Sequence, residues 1–310
     1  MTESSPHVTV VVTLVSGTPQ HLKRCLGALF SQVAAPTMEV LVPYDEPVAE
    51  VRHLTSDFPQ VRFILAEGLE TAVARSGASR EHHDSLRTIG LVNASGQIIA
   101  MIEDLGTPTQ GWCRSLVDAL ERHPEAGAVG GAMTCGSQRL LNRAVCYSDY
   151  WRYQAPLPEV QSTYASDANL AYRRTALEAV RESWDDGYHE TVVQFALLAH
   201  GYEVWLAPAA IVAQERGELP WPAALRERFV WGRSFAATRV RDRSPLVRVV
   251  YAGFCPVLPL LITSRAARIA LERGGFWDRF LPASFLVLIL SIVWSIGEAT
   301  GYLSGRVAQP

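Results

Sequence analysis

The stretch VTVVVTLV, residues 8–15, decides the fold: it is short, carries no charge and is dense in Val and Thr. Side chains branched at Cβ pack well on a pleated surface and lose freedom in a helix, so this run reads as a strand buried on both faces. After it, Thr18 can cap a helix with Pro19 at the first helical position, and Leu22, Cys25, Leu26, Leu29 and Phe30 recur at three-and-four spacing up to Gln32. MEVLVPY at 38–44 is a second apolar strand. Two buried strands joined through a helix form a right-handed parallel crossover.

The same alternation continues outward. VRFILA at 61–66 reads as a strand, 82–94 as a helix, and QIIAMIED at 97–104 as a strand entered through a turn at Gly96. Residues 110–122 place Trp112, Leu116, Val117 and Leu120 on one helical face, and AGAVGGAM at 126–133 reads as a further strand. The pattern predicts an α/β, doubly wound, Rossmann-like arrangement: a mostly parallel sheet flanked by helices. Residues 134–168 read as an irregular, aromatic-rich loop region on the binding side. NLAYRR at 169–174 and YEVWLAP at 202–208 read as strands, with helices at 175–182 and 188–200, and the body ends near residue 215.

With 310 residues, 48% of them hydrophobic, the chain fills one large or two modest domains, which excludes disorder and a small disulfide scaffold. A net charge of -3 argues against a nucleic-acid binder, which needs a strongly basic surface. The charge is unevenly divided, however: residues 1–215 hold 15 basic and 25 acidic groups, residues 216–310 hold 13 and 6. An acidic body with a basic, apolar tail points to membrane lipids as partners. The N-terminus MTESSPH lacks the basic start of a signal peptide, so the body is expected in the cytoplasm. Five cysteines without a C-x-x-C pair read as reduced, mostly buried thiols.

Within the tail, 216–245 reads as a basic juxtamembrane helical segment, in which Phe229, Trp231 and Phe235 stand among arginines. Residues 246–310 read as a membrane-associated region. Val249–Ser264 is uncharged but contains Pro256 and Pro259, and Phe280–Gly297 is uncharged for 18 residues, long enough to cross a bilayer. The loop between them, 265–279, carries four Arg and two acidic residues, so a full hairpin would place a basic loop outside, against the positive-inside rule. The expectation is therefore an interfacial or re-entrant segment over 246–264 and a transmembrane helix over 280–297, with Glu298 near the far interface. A full hairpin and a soluble pair of core helices are the alternatives.

Chemistry concentrates at IIAMIEDLGTPTQGW, residues 98–112, where Glu103 and Asp104 close a buried strand at its carboxyl edge. Ligands of open α/β sheets bind at that edge, and adjacent carboxylates there suit Mg²⁺ or Mn²⁺ bridging phosphate oxygens. A solvated acidic turn is the plainer reading of the same pair. His82, His83 and Asp84 follow one another on a helix, where consecutive residues point in different directions, and read as a solvated face. Among nucleotide and hydrolase motifs, G-x-x-x-x-G-K-[ST], G-x-G-x-x-G after a strand, and G-x-S-x-G are all missing from the sequence.

Taken in order, VTVVVTLVSGTPQHLKRCLGALFSQ, MEVLVPYDE, RTIGLVNASGQIIAMIEDLGTPTQGW, HPEAGAVGGAM, NLAYRR and GYEVWLAP resemble the landmarks of the family 2 nucleotide-sugar glycosyltransferases, with a GT-A fold, of the membrane-anchored bacterial type. The resemblance covers about residues 7–240. It implies a nucleotide-sugar donor, a lipid-linked or cell-envelope acceptor at the cytoplasmic membrane face, and single displacement with inversion. It implies that Asp45 contacts base or ribose, although the family often has its acid where this chain has Tyr44. Arg87 matches a basic residue near the donor, and Glu103 and Asp104 match the first part of the acidic motif that holds the divalent cation. Leu105 stands at that motif's last acidic position. Glu190, at the start of the helix before GYEV, matches the catalytic base, with Asp185, Asp186 and His189 as neighbours; a carboxylate there also suits the helix dipole. Asn169 falls on the acceptor side or serves as a turn anchor. Arg233, in WGRSFA, matches a residue facing the cleft, while Arg226, Arg228 and Arg239 suit donor diphosphate or lipid headgroups equally. Leu105 keeps open a catalytically impaired scaffold that binds nucleotide or partner proteins. A nucleotidyltransferase is disfavoured, because no Gly/Arg/Lys-rich phosphate loop follows the first strand.

Overall fold

A computed structural model describes residues 6–67, 69, 80–240 and 243–305. The chain forms two compact units, Met1–Thr134 with Leu157–Glu215, and Cys135–Pro156 with Arg216–Pro310.

The first unit opens with β1 (Val8–Thr13), α1 (Pro19–Phe30), β2 (Met38–Tyr44), β3 (Val61–Leu65), α2 (Arg80–Asn93), β4 (Ile98–Glu103), β5 (Gly106–Pro108), α3 (Trp112–Arg122) and β6 (Ala126–Cys135). After α4 (Leu140–Tyr150), which belongs to the second unit, come β7 (Val160–Ser162), β8 (Asn169–Arg173), α5 (Arg174–Ala179), α6 (Glu190–Ala199) and β9 (Glu203–Gln214). The strands form one mixed sheet in the order β3-β2-β1-β4-β8-β6-β9-β5, with β7 also on β9. Its first half is parallel, β1 lying between β2 and β4 with Val8 beside both Met38 and Ile98. Every residue of β1 is buried, as its uninterrupted Val/Thr run requires. The second half turns antiparallel: β8 opposes β4 and β6, and β5 and β7 oppose β9. β9 runs on past Pro208, where the sequence reading stops, because Ala210, Val212 and Gln214 keep the inward period of two. That extension sets Gln214 beside Gly106, next to the end of β4.

The second unit adds α7 (Trp221–Arg239), α8 (Pro245–Phe254), α9 (Leu258–Glu272), α10 (Trp277–Phe280) and α11 (Ser284–Ser304). The stretch 134–168 is not all irregular. α4 buries Leu141, Ala144, Val145 and Tyr147 at helical spacing against Phe276, Phe280, Val287 and Leu290, a pattern hidden in sequence by the surrounding tyrosines. Nor are all cysteines reduced: folding of α4 brings Cys146 to the end of β6, where a disulfide joins it to Cys135 with the Cα atoms 6.1 Å apart. Cys25, Cys113 and Cys255 are free and buried. The prolines of 246–264 produce a short 3₁₀ turn, Cys255–Val257, between α8 and α9. Pro245–Glu272 and Trp277–Ser304 are each long and apolar enough to cross a membrane.

Three glycines let α7 and α11 touch backbone to backbone. A Cβ on Gly232 would stand 2.3 Å from the Trp294 carbonyl oxygen, one on Gly297 2.2 Å from that of Phe229, and one on Gly301 2.2 Å from that of Arg233. Rigid main-chain atoms cannot yield as a flexible side chain would. Gly297→Ala should therefore lower the stability of the detergent-purified protein by about 1–3 kcal/mol despite alanine's better helix propensity. Gly253→Ala, whose Cβ would meet nothing within 4 Å, should leave the denaturation midpoint unchanged or slightly raised.

Candidate functional site

The carboxyl edge of the parallel half-sheet gathers the polar groups of the first unit. At the end of β4 the acidic pair divides. Asp104 is fully buried and turns toward the loop between β1 and α1. Its Oδ1 accepts the amide of Val15 at 3.0 Å and that of Ser16 at 3.2 Å, and its Oδ2 accepts the Ser16 hydroxyl at 2.5 Å. His21 Nδ1 lies 3.1 Å from the same hydroxyl oxygen. Burial pushes the Asp104 carboxyl above its ordinary range, against the opposing pull of the bonds from Ser16 and Val15. This residue fixes the loop that follows the first strand.

Glu103 turns the other way, to Arg87. That guanidinium, on α2 and almost wholly buried, bonds Asp84 at 3.2 Å through Nη1; its Nη2 bonds Glu103 at 3.1 Å and pairs with Asp167 at 3.2 Å. Gln214 donates to the second oxygen of Glu103 at 3.2 Å. Burial alone would lower the Arg87 pKa, but Asp167, Asp84 and Glu103 outweigh it and raise it, so the cation persists at any working pH. Among the described residues, one guanidinium is shared by three carboxylates.

A second group adjoins it. Tyr172 on β8 and Tyr188, just ahead of α6, are fully buried with their hydroxyls 3.0 Å apart, and the Tyr188 amide donates to Thr88 on α2 at 2.7 Å. Burial first, and then neighbours that include Asp167 and Glu190, push both phenols above their ordinary range. Glu190, the first residue of α6 and half-buried, is thereby within electrostatic reach of the tyrosine pair, as is Asp167, which ties that pair to Arg87. His189 occupies the N-cap position just ahead of Glu190 without a side-chain capping bond. Asp185 is exposed and paired with Arg181 at 3.1 Å, and Asp186 is exposed.

The remaining expected residues separate. Asn169 lies inside the sheet: its Oδ1 accepts Trp112 Nε1 at 2.8 Å and its Nδ2 donates to the carbonyls of Ala132 and Ala210 at 2.9 Å each. With no exposed surface it anchors strands rather than meeting an acceptor. A Cβ on Gly131 would stand 2.3 Å from that amide nitrogen, so the strand leaves room for it with glycine. Asp45 is buried at the end of β2, its Oδ2 3.4 Å from His82 Nε2. The solvated face expected at 82–84 is not there: His83 and Asp84 are buried and His82 nearly so, because α2 sets His82 against Asp45 while Asp84 pairs with Arg87 one turn along the same helix. In the second unit, Arg228 is buried against Asp149 at 2.6 Å and Glu227 at 3.5 Å, Arg239 reaches the Tyr302 hydroxyl at 3.3 Å, Arg233 is half-buried and Arg226 exposed. Asp84, Asp167, Tyr172, Tyr188 and Gln214 carry the cluster without having been singled out as site residues, although Asp84 stood beside the paired histidines and Tyr172 within NLAYRR.

Glu103 and Asp104, expected to share a divalent cation, face apart in the structure. Both oxygens of Asp104 are committed to the β1–α1 loop, those of Glu103 are bonded to Arg87 and Gln214, and Leu105 is a buried apolar side chain. Among the described residues no three His, Cys, Asp or Glu side chains are grouped to hold a metal ion.

No protein-family model matches the chain. Over 95 residues, 28% of this chain and 30% of the relative, it is 30% identical to a glucosyl-dolichyl phosphate glucuronosyltransferase from Haloferax volcanii. The matched part thus spans less than a third of that relative's length. A mannosyltransferase from Pyrobaculum calidifontis, solved in complex with GDP-Man and Mn²⁺, superposes with a TM-score of 0.51 at 16% identity, covering 95% of this chain and 87% of its own. At that identity the likeness is one of fold, and it agrees with the GT-A-like expectation. Both similar proteins are glycosyltransferases by name.

Replacing Arg87 with Met would remove the guanidinium that three neighbouring carboxylates share. The folded protein should lose about 3–5 kcal/mol at neutral pH, the usual effect of stranding buried charge. Without the guanidinium their folded pKa values rise above the unfolded ones, so stability should recover as pH falls from 8 toward 5 in the variant, measured by denaturation at each pH.

Proposed function

We propose that the chain is an inverting glycosyltransferase that moves a sugar from a nucleotide-sugar donor to a lipid-linked acceptor at the cytoplasmic face of a membrane. The carrying observation is the polar cluster at the carboxyl edge of the sheet, where Arg87 meets Asp84, Glu103 and Asp167, with the hydrogen-bonded Tyr172–Tyr188 pair and Glu190 at the start of α6 within electrostatic reach. That edge is where open α/β sheets bind their ligands. The names of the two similar proteins supply the chemistry: one acts on a glucosyl-dolichyl phosphate, the other binds GDP-Man.

In this reading the β1–α1 loop, fixed by Asp104, and Asp45 at the end of β2 frame the nucleotide. Glu190 accepts the proton of the acceptor hydroxyl while that oxygen attacks the anomeric carbon. The bond from that carbon to the diphosphate breaks, and the nucleoside diphosphate leaves with the electron pair. A positioned base of this kind contributes roughly a hundred- to ten-thousandfold in rate. The buried tyrosines, hydrogen-bonded to each other, stay neutral and so add no charge beside Glu190 and Asp167. The basic balance of residues 216–310 supports placement on the cytoplasmic side. A catalytically impaired scaffold is the second reading, favoured by Leu105 and by the commitment of Asp104 to its loop.

Glu190→Gln should reduce transfer at least about a hundredfold. Binding of the nucleotide-sugar, followed by calorimetry with and without Mn²⁺, should stay within a factor of two or three. Equal loss of binding and transfer would remove Glu190 from the role of base, and an active wild type unaffected by the substitution would move the base elsewhere.

A further inference from the structure

α11 belongs to a stretch apolar and long enough to cross a bilayer. Its 21 residues span about 30 Å, the thickness of the hydrocarbon core. Yet it does not stand alone. α7 runs beside it in parallel: Phe229 meets Gly297 and Arg233 meets Gly301, each helix advancing by four residues. The Arg228 guanidinium lies over the Trp294 ring at 5.7 Å, and Arg239 reaches Tyr302 at 3.3 Å. The seam is built from main-chain contact, so the two helices move as one body.

α7 itself is unsuited to a bilayer. It carries Arg226, Glu227, Arg228, Arg233 and Arg239 within 19 residues, and charges inside the hydrocarbon core are costly unless they reach the interface. Wherever α11 goes, this helix must follow. On the side of α11 away from α7, Phe285, Ile292, Ile296 and Leu303 form an exposed stripe at helical spacing, and Leu246 and Phe254 are exposed on α8.

Resting on the membrane reading above, we propose that the second unit docks in one leaflet of a phospholipid bilayer rather than crossing it: the exposed apolar stripes of α8 and α11 enter the acyl region while the paired helix α7 stays at the headgroups. Charge complementarity favours lipid as the occupant, since residues 216–310 hold 13 basic groups against 6 acidic, suited to anionic headgroups.

The test places reporter cysteines at the two ends of the candidate span. Gly274→Cys, where a side chain meets nothing within 4 Å, marks one end, and Ser304→Cys, at an exposed position, marks the other. The full chain carrying either one is treated with a membrane-impermeant maleimide in sealed inside-out and right-side-out vesicles, the native chain with its buried cysteines serving as background. Docking in one leaflet predicts that both positions react in inside-out vesicles and neither in right-side-out vesicles. Reaction from opposite sides would show that α11 crosses and would overturn the proposal while leaving the transferase reading intact. Loss of the chain to the soluble fraction would instead sink the membrane reading itself. Retention by native membranes but not by protein-free anionic phospholipid vesicles would overturn lipid as the occupant.

Discussion

The first unit depends on the burial of one guanidinium. Arg87 sits where water is nearly absent, and a charge there is tolerable only if opposite charges and hydrogen bonds replace the lost hydration. Asp84 comes from its own helix, Glu103 from the end of β4, and Asp167 from the segment leading into β8. Satisfying one side chain therefore fixes a helix, a parallel strand and the entry to an antiparallel strand relative to one another. Gln214, carried there by the extension of β9, closes the fourth side through Glu103.

Around that hub, holding and reacting are assigned to different members of what look in sequence like single motifs. Glu103 and Asp104 are neighbours in the chain but, following the alternation of a strand end, face opposite ways: one into the Arg87 cluster, the other into the β1–α1 loop. Asn169 and Asp167 divide similarly, Asn169 binding Trp112 and two strand carbonyls inside the sheet while Asp167 joins the cluster. In the second unit, arginines that suit phosphate equally well are in part consumed by protein partners, Arg228 by Asp149 and Glu227.

Much of the fold was legible because it rests on local pattern. The Val/Thr run of β1, the amphipathic helix after it and the apolar strands at 38–44 and 98–103 declare themselves by period and composition, although Thr18 makes no side-chain cap for that helix. What stayed illegible depends on long-range contact. The solvated face expected for His82, His83 and Asp84 follows from helix geometry alone, whereas their burial depends on Asp45 arriving from the end of β2 and on Glu103 and Asp167 arriving at Arg87. Asp167 sits in a polar loop with no periodicity to mark it. The helix at 140–150 and the Cys135–Cys146 disulfide were missed together, since only the helix brings the two sulfurs into range. For α11, composition conveyed apolarity and length, while its pairing with an arginine-bearing helix is a tertiary fact set by three glycines.

The most direct test of the account is mass spectrometry and NMR of a polyprenyl phosphate or its monoglycosylated form, incubated with the full-length chain and a panel of nucleotide-sugars, with and without Mn²⁺. The account predicts a lipid heavier by one glycosyl residue from at least one donor, with the anomeric configuration opposite to that of the donor. A glycolipid of retained configuration would contradict the single displacement. Nucleotide-sugar that binds but is never transferred to any lipid acceptor would contradict the transferase itself.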